Sequence, residues 1–225
     1  MWSIRQRKSW KHICRIRGWC LAVILAGAVL VLAGCGKNTV KKPAGSENRE
    51  KSSGTWKPMK LSEDEKKQAE KSVQEAAGAY GKIYPYQEQK AISEKDRKKV
   101  VEAMGKKGLA AVDCADGSVM ENSRRAEKFY EKVQAGKTAD MTIIRVSPSG
   151  GFSCIWLKAE NGNVTGILAT AVWDQNGSVS ISELVKYKVK QLEITEDHKM
   201  ICEFYLSDQA EMQSDGTMEF GLQDL

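Results

Sequence analysis

The sequence predicts an α+β domain in which about three N-terminal helices pack on one face of an antiparallel meander sheet of five to six strands. Three observations predict it. Apolar residues recur at helical spacing through residues 61–135, apolar runs separated by turn residues begin at Met141, and Asn161-Gly162 and Asn176-Gly177 join those runs. Helices followed by hairpin-linked strands define the α+β class.

The first helix opens at Leu61-Ser62-Glu63-Asp64-Glu65, where Ser62 and Glu65 have the spacing of a capping box. Ala69, Val73, Ala76, Ala77 and Tyr80 then fall on one face, and Tyr84-Pro85-Tyr86 ends the element. The second helix starts at Ser93, carries Asp96 in its first turn, buries Val100, Val101 and Met104, and stops at Gly105 and Gly108. Asp113 to Gly117 reads as a turn. The third helix runs from about Asn122 to Ala135, with Ala126, Phe129, Tyr130 and Val133 as its stripe and Gly136 as its cap.

The strands follow as Met141–Val146, Phe152–Lys158, Val164–Trp173 and a run from Ser178 that alternates cleanly through Val185-Lys186-Tyr187-Lys188-Val189-Lys190. Leu192–Ile194 extends this run through a bulge. Met200–Leu206 returns after Thr195-Glu196-Asp197-His198, and Met218–Leu222 closes the sheet.

Ahead of the domain lies a different kind of segment. Arg5, Arg7, Lys8, Lys11, Arg15 and Arg17 face no acid, an apolar run from Trp19 to Ala33 follows, and the run ends in Leu32-Ala33-Gly34-Cys35. A basic start, an apolar middle and a small-residue cut site make a secretory signal, with the basic end kept in the cytoplasm. Leu32-Ala33-Gly34-Cys35 resembles the lipobox of bacterial lipoproteins. That resemblance implies cleavage between Gly34 and Cys35 and a diacylglyceryl group, with chains such as palmitate, on the Cys35 thiol. The predicted location is the outer face of the cytoplasmic membrane, with membrane lipid the partner of acylated Cys35. Each buried methylene contributes about 0.8 kcal/mol, and two chains anchor stably where one does not. An uncleaved signal anchor would have to span with Gly18 to Gly34, at the lower limit of about 17 residues.

The organisation expected is therefore a signal peptide over 1–34, a basic tether over 35–60 and an extracytoplasmic domain over 61–225. The formal charge of +6 comes from the leader: without its bases, 29 remain against 29 acids. Nucleic acid is thus not an expected partner. Residues 36–60 carry Lys37, Lys41, Lys42, Arg49, Lys51, Lys57 and Lys60 against Glu47 and Glu50. Such a segment either lies against anionic headgroups or serves as a solvated linker. Cys114, Cys154 and Cys202 remain in the domain, where Cys154 and Cys202 either pair across strands or sit as buried apolar side chains.

Val100-Val101-Glu102-Ala103-Met104-Gly105, Ala110-Ala111-Val112-Asp113, Glu131-Lys132-Val133-Gln134-Ala135-Gly136 and Gly150-Gly151-Phe152 resemble a family of uncharacterised Gram-positive lipoproteins of unknown function. The resemblance covers about residues 95–175 and implies no activity. Relatives in that family run on past the position of Leu225, which implies a shortened copy here.

No catalytic, cofactor-binding or metal-binding residue is expected. His198 is the domain's single histidine and reads as a solvated turn residue. Asp113-Cys114-Ala115-Asp116-Gly117 begins like a calcium loop but lacks the later ligands, and paired zinc-ligand spacing is absent. Ser147-Pro148-Ser149-Gly150-Gly151 has no lysine and no following helix, so it is a hairpin loop. Tyr80, Tyr84, Tyr86, Trp156 and Trp173 either form a glycan platform, or Trp156 and Trp173, inside strands, are core residues. Lys186, Lys188 and Lys190 either dock an acidic partner such as teichoic acid or solubilise a strand face. The function expected is a non-catalytic binding or accessory module whose partner is an envelope protein or a wall polymer. The alternative is a carboxylate-dependent enzyme acting on envelope polymers, which needs two carboxylates facing across a cleft.

Overall fold

The computed structural model of the chain describes residues 58–82, 91–115, 119–207 and 214–223. The leader with Cys35, most of the tether, Tyr84, Tyr86, Asp116 and Gly117 lie outside the described residues. Among the described residues, no helix is long and apolar enough to cross a membrane.

Helix α1 spans Glu63–Tyr80. Ser62 Oγ accepts the Glu65 N–H at 3.2 Å and Glu65 Oε2 accepts the Ser62 N–H at 2.8 Å, so both halves of the capping box form. Ala69, Val73, Ala76, Ala77 and Tyr80 are buried, the face their spacing predicts. Helix α2 spans Glu94–Lys106 behind an Ser93 cap and buries Val100, Val101 and Met104, together with Arg97.

The fold departs from the predicted antiparallel meander beside α2. Ala110–Asp113 forms a strand, β1, and all four of its residues are buried. It pairs in parallel with β2 (Ala139–Val146), aligning Ala110 with Ile143 and Asp113 with Val146. Helix α3 (Arg124–Gln134) is the crossover that a parallel pair requires. It ends as the sequence indicates: Gly136 takes φ +66°, and the Lys137 N–H returns to the Lys132 carbonyl at 2.9 Å. Helices therefore do not all precede the strands. β1 escapes the sequence pattern because it is short and covered on both sides, so no period of two appears.

The remaining strands are β3 (Phe152–Glu160), β4 (Asn163–Trp173), β5 (Val179–Ile194), β6 (Lys199–Tyr205) and β7 (Gly216–Gly221). They run antiparallel in chain order, so the sheet has seven strands and is mixed, where five to six antiparallel strands were expected. Bulges interrupt β4–β5 pairing at Thr170/Ala171 and β5–β6 pairing at Val189/Gln191. Bulges bend a strand and increase its twist, and these curl the sheet.

The curl nearly closes. Glu121 exchanges backbone hydrogen bonds with Ala111 of β1, at 2.8 Å and 3.3 Å, while the Met120 N–H donates to Gly221 of β7 at 2.8 Å. Met120 and Glu121 thus bridge the two sheet edges into a barrel-like ring. Closure consumes strand edges that would otherwise be free to pair with other chains.

Two cores result. On the outer face, α1 and α2 cover Ala111, Ile144, Val146, Phe152, Cys154, Ile167, Ala169 and Ala171. The other core draws buried residues from all seven strands, among them Val112, Ile143, Ile155, Tyr187, Cys202 and Phe220, and so fills the enclosed side. Ala126 and Phe129 of α3 belong to it, so the helices cover both faces of the sheet where one was predicted. Pro58, in the segment assigned to the tether, forms an antiparallel bridge with Ser207 beyond β6.

Candidate binding face on the inner side of the sheet

The residues singled out from sequence are mostly given to architecture. Tyr80 is buried, and its hydroxyl donates to the Gly150 carbonyl at 2.8 Å, while Trp173 Nε1 donates to the same carbonyl at 3.1 Å. Their rings and that of Phe152 lie 5.4–5.9 Å apart. This aromatic cluster pins the β2–β3 hairpin. Trp156 is half-buried against the outer core, with Lys158 Nζ 6.0 Å from its ring centre.

The lysine row is also engaged. Lys186 Nζ lies 2.6 Å from Glu65 Oε1, with both side chains about one-sixth exposed, at 17% and 16%. Burial acts to raise the Glu65 carboxyl; the Lys186 ammonium and the Ser62 N–H more than offset it, holding Glu65 below its ordinary value. Lys190 Nζ sits 4.2 Å from the Tyr205 ring centre. Lys188 shares this outer side, cross-strand from Thr165 and Tyr205.

Cys154 and Cys202 belong to opposite cores, on strands three apart, so they are not a cross-strand pair. Both are free, and burial pushes each thiol up to about 12. His198 is exposed in the β5–β6 turn with φ +53°, and its carbonyl accepts the Leu222 N–H at 2.8 Å. The Asp113 carboxylate, the would-be first calcium ligand, faces the Arg97 guanidinium instead. Among the described residues, no group of three His, Cys, Asp or Glu side chains could hold a metal ion.

A different set of residues comes together on the enclosed side. Cross-strand register aligns Val112 with Arg145, Arg145 with Ser153, Ser153 with Thr170, and Thr170 with Glu183. Directly paired residues point to the same face. Because Val112 belongs to the inner core, the whole row faces inward. Arg145, Ser153 and Thr170 are half-buried and Glu183 is exposed, so the row is not covered over as the apolar rows are. Val172, two residues beyond Thr170 on the same side of β4, is 40% exposed.

The Arg145 side chain makes no hydrogen bond or ion pair with any described residue. Thr170 Oγ1 donates to Glu183 Oε2 at 3.3 Å. Deeper on the same face, the Tyr187 ring crosses Gly166, where a Cβ would stand 2.2 Å from Tyr187 Cζ. Tyr187 is 2% exposed, and its hydroxyl has no described partner. Burial raises the phenol strongly and nearby Cys202 adds to this, while the Arg145 charge acts in the opposite direction; Arg145 is therefore within electrostatic reach of the phenol.

The row holds one cation, two hydroxyls and one carboxylate, a set suited to binding and orienting a ligand. Sequence reasoning passed over it. The available signal was Arg145 itself, an isolated charge between Ile144 and Val146 in an apolar run.

The described residues form three helices and a nearly closed, mixed seven-stranded sheet with a polar row on its inner face. The chain belongs to a family of unknown function, DUF6070, whose sequence model matches residues 66–222. No curated protein and no solved structure matches the chain.

Proposed function

We propose that the chain is a lipid-anchored, extracytoplasmic binding or accessory module of the cell envelope. The Leu32-Ala33-Gly34-Cys35 motif at the end of a basic and apolar leader supports the anchor. The single observation that carries the binding role is the polar inner row, whose Arg145 guanidinium lacks a described counter-charge. A half-buried cation without a partner is costly to keep in a structural role, and a ligand anion relieves that cost. The tethered domain would work close to the membrane. Twenty-two residues lie between Cys35 and Pro58.

Crosslinking of the native lipidated protein in intact cells, followed by mass spectrometry of captured material, tests this reading. A dominant envelope partner that disappears with Cys35→Ala supports a module that must sit at the membrane. Loss of all capture in the wild type contradicts it.

A further inference from the structure

We propose that the inner-face row of Arg145, Ser153, Thr170 and Glu183 binds a short peptide with a free carboxylate at one end and a free amino group at the other. This rests on the reading of the domain as a binding module and names its ligand class.

The row has opposite charges at its two ends and neutral hydroxyls between them. Adjacent strands lie about 4.7–4.9 Å apart, so the three strand steps from Arg145 to Glu183 cover roughly 14 Å along the sheet. Among the described residues no ion pair joins Arg145 to Glu183. An extended peptide advances about 3.3–3.6 Å per residue, so three to four residues span the row.

Each position then has a role. The planar Arg145 guanidinium matches a carboxylate through two parallel hydrogen bonds. Ser153 and Thr170 offer hydroxyls that both donate to carbonyls and accept from amides. Glu183 receives the Thr170 hydroxyl on Oε2, which leaves Oε1 for an ammonium group. Val172 supplies an apolar contact beside the row. The Glu183 charge works against a polyanion, so a polyphosphate chain is the poorer fit to this face.

The test is calorimetric titration of the native lipidated protein in detergent with tri-alanine and tetra-alanine. N-acetylated and C-amidated forms of the same peptides are titrated in parallel. Saturable binding of the free peptides is expected. Amidation and Arg145→Gln should each weaken it about tenfold or more, without adding to one another, and acetylation and Glu183→Gln should do the same at the other end. Because the blocked peptides need no protein variant, a misfolded mutant cannot mimic the result. Equal binding of blocked and free peptides, or no saturable binding of either free peptide, overturns the proposal. A partner still captured by crosslinking in cells would then leave the binding-module reading standing and remove only this ligand and site.

Discussion

Arg97 Nε on α2 lies 2.8 Å and 2.9 Å from the two carboxylate oxygens of Asp113, the last residue of β1. Both side chains are buried, and each has further support. Arg97 Nη1 donates to the Ile92 carbonyl at 3.1 Å, and Asp113 Oδ1 accepts the Ala115 N–H at 3.0 Å. The pair ties the start of α2 to the end of β1, which pairs in parallel with β2. Removing one partner leaves a buried charge alone, so Asp113→Leu or Arg97→Met should each cost about 3–5 kcal/mol. The double variant Arg97→Met/Asp113→Leu should cost well under the sum. Denaturant unfolding of the three variants checks both statements.

Glu65 joins the α1 cap to β5 through Lys186, and its carboxyl is held below the ordinary value of 4.5. A lowered folded value means that the unfolded chain takes up this proton first as pH falls. The contribution is full above 4.5 and is lost as pH drops through the lower folded value. The stability difference between wild type and Glu65→Gln should therefore be constant at neutral pH and shrink in acid below 4.5. A difference that grows in acid would contradict the pairing. Ser62→Ala, which removes the other half of the cap, should cost about 1 kcal/mol.

Gly166 and Tyr187 face each other across β4 and β5. A Cβ at Gly166 would meet the Tyr187 ring at 2.2 Å, and that ring is held in the core and against Phe204, 5.6 Å centre to centre. Gly166→Ala should destabilise the domain by about 1–3 kcal/mol through overpacking. Tyr187→Phe removes a buried hydroxyl without a described partner and should leave stability unchanged or raise it by up to about 1 kcal/mol. Thermal unfolding of both variants is the check.

Cys154 and Cys202 should resist iodoacetamide at neutral pH, because burial pushes both thiols up to about 12 and hides them from solvent. Peptide mapping should show both alkylated only after unfolding. A disulfide joining them in the native protein would contradict their placement on opposite faces.

Local features of this fold were legible in the sequence, and closure of the chain on itself was not. The Ser62–Glu65 box, the buried stripe of α1 and the Gly136 cap depend on neighbours within a turn, so spacing reveals them. The partner of Lys186 is 121 residues away, and alternation alone presents that lysine as one of an exposed row. The edge bridge through Met120 and Glu121 depends on Ala111 and Gly221, which no local pattern links. β1 was hidden by double-sided burial, and the register that lines up Arg145 with Glu183 exists only once four strands are paired.

Mass spectrometry of the native protein purified from membranes decides whether the domain is held there through Cys35. A chain that begins at Cys35 and carries a diacylglyceryl group on that residue is the expected result. A chain that retains Gly34 and the leader, with an unmodified Cys35 thiol, would contradict it.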